Sequence, residues 1–221
     1  MVYGGPGAQW VARAWPDVRQ KLFLEAGFLV FQLDNRGSPN RGTTFEGAIA
    51  GRLGSVEVDD QVVGLEWLRS LPFVRPDRIG VFGWSYGGYM VLRMMTDPRA
   101  RLAAGAAGAP VTDWRQYDTH YTERYMGDPT AHATAYDASA VIPRLGALSG
   151  RLLLVHGMAD DNVPLANSTA VMSALQAQGT TFELMLYPGE RHGIQGEGRQ
   201  LHLWRTLLGF FRREMGGNAD S

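Results

Sequence analysis

The chain has 221 residues, no cysteine and a formal net charge of −1 from 21 basic and 22 acidic side chains. Zero Cys excludes disulfide staples, thiolate metal sites and a cysteine nucleophile. The balanced charge excludes the basic surface that tracks nucleic-acid phosphates. At this length a single α/β domain buries roughly 70% of its unfolded surface and needs no staples. Glycine, at 28 of 221, is about twice its usual ~7% share, which points to tight turns and close backbone approaches. No apolar run reaches the ~18 residues of a membrane span, and the amino terminus lacks a signal-peptide layout.

In chain order, residues 28–33 form an apolar run closed by Asp34-Asn35-Arg36-Gly37, which predicts a buried strand and a turn. Val58, Val62, Leu65 and Leu68 recur at helical spacing over 56–71, ahead of Pro72. A strand over 78–82 and a helix over 86–96 follow, then a small-residue strand over 102–107. Strands over 151–155 and 182–187 flank a helix over 165–178 whose C-cap is Gly179. Leu201, Trp204, Leu208 and Phe211 lie on one face of a closing helix. This alternation predicts a mostly parallel sheet with helices on both faces. Residues 109–149, rich in Trp, Tyr and Asp, interrupt it, and such excursions often cover a site.

Gly83-Trp84-Ser85-Tyr86-Gly87-Gly88 fits G-x-S-x-G where a predicted strand meets a predicted helix. That turn holds a serine Oγ exposed above the sheet and needs small neighbours. The Tyr86 N–H then sits at the helix's positive end, able to donate to an oxyanion. Serine needs a base and the base an orienting acid, in the chain order Ser, acid, His. His192 lies in the loop just past the last strand, whereas His156 reads as a structural turn residue. His120, His132 and His202 read as surface or packing. Topology leaves Asp160 and Asp161 equally eligible as the acid.

Together these residues resemble the catalytic domain of the dipeptidyl peptidase IV group, within the prolyl oligopeptidase family of serine peptidases. Further motifs carrying the resemblance are Tyr3-Gly4-Gly5-Pro6-Gly7, Asp34-Asn35-Arg36-Gly37-Ser38, Ala109-Pro110-Val111-Thr112, Tyr121-Thr122-Glu123-Arg124-Tyr125-Met126-Gly127, Ala159-Asp160-Asp161-Asn162-Val163 and Glu190-Arg191-His192-Gly193. The resemblance implies an α/β-hydrolase fold, a Ser85–His192–Asp160 triad and acyl transfer to water, with no metal or cofactor. It assigns Tyr3 as an oxyanion donor beside the Tyr86 amide. It places Tyr86, Val111, Trp114, Tyr117, Tyr121 and Val163 in a pocket for proline or alanine, with Asn162 holding the preceding carbonyl. Trp114, Tyr117 and Tyr121 recur at helical spacing, and as a bare pattern that aromatic face would read as core packing.

The implied activity is release of Xaa-Pro or Xaa-Ala from peptide amino termini by a homodimeric enzyme of bacterial cytoplasm or periplasm. The bacterial reading leans on composition, since Lys21 is the one lysine beside 20 arginines. Acylaminoacyl peptidase, carboxylesterase and inactive interaction fragment are the rival readings; a lipase-type His-Gly-Gly-Gly segment is absent. Residues 1–221 read as a peptidase catalytic domain lacking its first amino-terminal strands and the family's β-propeller. Expressed alone, this stretch is expected to fold poorly.

Overall fold

The computed structural model describes residues 1–216. Its elements are α1 (Val18–Glu25), α2 (Thr43–Glu46), α3 (Val56–Arg69), β1 (Gly80–Trp84), α4 (Tyr86–Met95), β2 (Ala104–Gly108), α5 (Thr119–Met126), α6 (Ala133–Ser139), β3 (Arg151–Gly157), α7 (Ala166–Ala177), β4 (Glu183–Tyr187) and α8 (Glu197–Met215). Among the described residues the sheet is four-stranded and parallel throughout, in the order β1-β2-β3-β4.

Side-chain alternation along the strands sorts the core into two layers. Val81, Ala107, Leu152 and Leu154 pack with α3, α4 and α7; Phe82, Ala104, Ala106, Leu153 and Val155 pack with Phe23 of α1 and with α8. Helices thus cover both faces, as the strand–helix alternation predicts. All ten residues of α4 are buried, so the helix that follows Ser85 is held from every side.

Three expectations need correction. Residues 28–33 form no strand; the Met1 ammonium donates to the Phe31 carbonyl at 2.8 Å, but no ladder follows. Between that segment and β1 lies a cavity of about 410 Å³, lined by residues 28–31 on one side and 80–82 on the other. An apolar run cannot become a strand without a backbone neighbour along its length. In α8 the buried stripe is Leu203, Leu207, Leu208, Phe210 and Phe211, while Leu201 is exposed. The core-facing stripe is therefore turned from the one read in the sequence, keeping Leu208 and Phe211. The aromatic spacing of Trp114, Tyr117 and Tyr121 is not one continuous helix. Trp114 opens a 3₁₀ turn, and α5 restarts at Thr119 because the Asp118 carboxylate caps the Tyr121 amide.

Leu154 is fully buried at the centre of β3. Leu154→Ala is expected to destabilise the intact protein by about 2–5 kcal/mol through lost burial and the cavity left behind. Urea denaturation followed by circular dichroism measures that loss.

Candidate active site

The site gathers at the carboxyl ends of the strands. Ser85 follows β1 with φ 61° and ψ −120°, a left-handed conformation that non-glycine residues rarely adopt. Its N–H donates to the Gly108 carbonyl at 2.8 Å, and its own carbonyl accepts the first helical bond of α4 from Tyr89. The turn is possible because backbone passes where side chains would otherwise stand. A Cβ on Gly83 would meet the Gly87 carbonyl oxygen at 2.3 Å, and one on Gly87 the Val2 carbonyl oxygen at 2.4 Å. Tyr86 opens α4, and its N–H has no acceptor among the described residues.

Asp160 lies in the loop after β3 with its side chain fully buried. Oδ1 accepts the Asn162 and Val163 amides, each at 2.9 Å. Oδ2 accepts His192 Nδ1 at 2.8 Å. Burial alone would push this carboxyl up; the donors from His156, His192, Asn162 and Val163 outweigh it and hold the group far below its ordinary range. Asp161 points elsewhere, to an exposed ion pair with Arg191 at 2.8 Å. The two aspartates that topology left equal are separated by what they touch.

His192 is partly exposed. The Trp84 indole N–H donates to its carbonyl at 2.7 Å, which ties the histidine loop to the residue next to Ser85. Among the described residues neither His192 Nε2 nor Ser85 Oγ makes a hydrogen bond. The structure therefore joins Asp160 to His192 and leaves the Ser85–His192 bond unmade, as resting sites often do.

Tyr3 is half-buried, its ring 6.0 Å from that of Tyr86 and stacked at 5.8 Å on Trp10. Burial first, then neighbouring Tyr117 and Tyr125, push its phenol up, so it remains a proton donor at neutral pH. Asn35 fixes this segment by donating to the Gly4 carbonyl at 2.9 Å, and Asp34 accepts the Trp10 and Val11 amides. Rings of Tyr86, Trp114, Tyr117 and Tyr121 form one cluster with centroids 5.1–6.2 Å apart. Val111 and Val163 are buried in the same core layer, and Tyr117 donates to Asn162 Oδ1 at 2.8 Å.

Sequence reasoning missed Glu57. Its buried carboxylate accepts the Tyr86 phenol at 2.5 Å and the Gly54 and Ser55 amides at 2.9 and 3.1 Å. Nothing in a helix-opening glutamate announces a partner 29 residues on. It also undervalued His156, which lies beside Asp160 rather than in an idle turn. His202 accepts or donates a bond with the Tyr187 hydroxyl at 2.9 Å, away from the site.

Among the described residues no helix is long and apolar enough to cross a membrane. None of their His, Asp or Glu side chains group in threes to hold a metal ion.

The model of the prolyl oligopeptidase family matches residues 15–218. Dipeptidyl peptidase 8 of Mus musculus and that of Homo sapiens are each 41% identical over 217 residues, covering 93% of this chain and 24% of theirs. The crystal structure of Porphyromonas gingivalis dipeptidyl peptidase 4 superposes with a TM-score of 0.93 at 35% identity, over 96% of this chain and 30% of that one. The chain thus spans about a quarter of the length of the curated relatives it matches.

Proposed function

The chain belongs to the prolyl oligopeptidase family of serine peptidases, and from that premise we propose that it is the catalytic domain of a dipeptidyl peptidase. Its reaction is hydrolysis of the bond after an amino-terminal Xaa-Pro or Xaa-Ala pair. The observation that supports this most is the Asp160–His192 hydrogen bond beside a left-handed serine at a strand-to-helix turn.

In the proposed mechanism Ser85 Oγ attacks the carbonyl carbon of the proline while His192 Nε2 takes its proton. Asp160 holds the imidazole by Nδ1 and stabilises its charged form. The carbonyl oxygen, now an oxyanion, receives the Tyr86 N–H and the Tyr3 phenol. His192 passes its proton to the leaving amine, and the acyl-enzyme remains on Ser85. Water, deprotonated by His192, attacks that ester and returns the serine. The aromatic cluster suits proline because a flat ring loses little entropy when buried against rigid walls.

Ser85→Ala should abolish turnover of Gly-Pro-anilide by the intact enzyme, and retained cleavage would remove Ser85 from this role. The same assay run against an N-acetylated amino-acid anilide and a short-chain ester tests the substrate class. Preference for either rival substrate assigns the chain to another hydrolase of the fold. Tyr3→Phe should lower kcat by roughly 10²–10³ with KM nearly unchanged, the size expected for one oxyanion donor. We further infer a homodimeric assembly for the intact enzyme, which sedimentation equilibrium at micromolar concentration would read as twice the chain mass.

A further inference from the structure

A second histidine reaches the acid of the proposed triad. His156, on β3, is fully buried. Its Nδ1 lies 2.7 Å from Ser168 Oγ on α7, and its Nε2 lies 2.9 Å from the Val163 carbonyl oxygen. The same Nε2 is 3.2 Å from Asp160 Oδ2, the oxygen that also receives His192. Both neighbours of Nε2 are acceptors, so the partners place the ring proton on Nε2 and make Nδ1 the acceptor of the Ser168 hydroxyl. A histidine kept for packing would be satisfied by Ser168 and Val163 alone. The third contact joins it to the catalytic machinery.

We propose that His156 is a positioning residue that fixes Asp160 Oδ2 at the point where His192 Nδ1 meets it. This rests on reading Ser85, His192 and Asp160 as the triad. Oδ1 is pinned by the Asn162 and Val163 amides, and Oδ2 is shared between two imidazoles. Rotation of the carboxylate would break all of these contacts together. The arrangement also sets how strongly Asp160 holds a protonated His192. Each N–H donated to Oδ2 draws negative charge from it, so His156 tempers the attraction.

The other ionisable groups around the pair come from different elements. Tyr117 approaches from the 109–149 excursion and bonds to Asn162. Arg191 pairs with Asp161, and Glu190 pairs with Arg199 of α8 at 2.6 Å. None of these side chains is hydrogen-bonded to Asp160 or His192, so His156 is the group whose removal alters the acid directly.

In the intact enzyme, His156→Phe should lower kcat per active site by about 10- to 100-fold, the scale of one hydrogen bond to a charged group. KM should change by less than about two-fold, since nothing that touches substrate is removed. The acid limb of the kcat/KM profile should move to higher pH, because an untempered Asp160 holds the His192 proton longer. His156→Gln, which keeps an N–H donor, should recover part of kcat and bring the limb back towards its original position. A fluorophosphonate titration of active sites removes any contribution from misfolded protein. A kcat loss without a limb shift, or no change in either, overturns the proposal. If His156→Phe does not fold, Ser168→Ala frees the imidazole to exchange tautomers and should move the limb the same way; an unmoved limb there also overturns it. Failure of the triad reading itself is distinct, because it shows as Ser85→Ala retaining activity.

Discussion

The left-handed backbone at Ser85 is the constraint on which the rest of the site depends. A non-glycine residue at φ 61° costs on the order of 1–3 kcal/mol and persists only where its surroundings leave no alternative. Here the surroundings are β1 on one side, a wholly buried helix on the other and the Gly108 carbonyl receiving the serine N–H. Close passage of the Gly87 and Val2 carbonyls leaves no room for side chains at 83 and 87. The cost is met by the two-layer core, and the return is a serine at the strand end beside an amide with no acceptor among the described residues.

The carboxylate side is organised by the opposite principle. Ser85 is strained and its side-chain oxygen has no hydrogen-bond partner among the described residues, whereas Asp160 is buried with Oδ1 bonded to two amides and Oδ2 set between two imidazoles. A buried carboxylate stays ionised only when donors repay its lost hydration. Two backbone amides and two imidazoles do so here. Ionisation of Asp160 is a consequence of folding, and so is the orientation of His192. The stability linked to it is present above the ordinary aspartate range and is lost as acid drives protons onto the depressed carboxyl.

Much of this was legible in the sequence because strand-to-helix punctuation is local. The G-x-S-x-G turn, the strands at 80–84, 104–108, 151–157 and 183–187, and helices α3, α4 and α7 follow from period and breaker residues. Residues 28–33 have the composition of a strand, yet strandedness belongs to a pair, and pairing is not written in one segment. The face of α8 was misjudged because Trp204 and Leu201 are apolar but sit at the rim. Asp160 and Asp161 differ by one position along the chain and by everything in what they touch. His156 illustrates the same limit: its sequence neighbourhood announces a turn, while its function depends on Val163, Ser168 and Asp160 meeting in space.

Tyr86 joins the two halves of the site in one residue. Its backbone N–H is the one proposed to donate to the oxyanion, and its ring forms a wall of the aromatic cluster. Its phenol is clamped by Glu57, whose carboxylate caps the turn before α3. That turn is braced in its turn by Arg93 of α4, which donates to the Gly54, Ala138 and Ser139 carbonyls. In the proposed mechanism a substrate ring pressing on Tyr86 therefore presses on the helix that carries the proposed oxyanion donor. In such an arrangement the side chain that fills the pocket also sets where the reacting carbonyl lies, so selectivity for the buried ring is expressed in the turnover step as well as in binding.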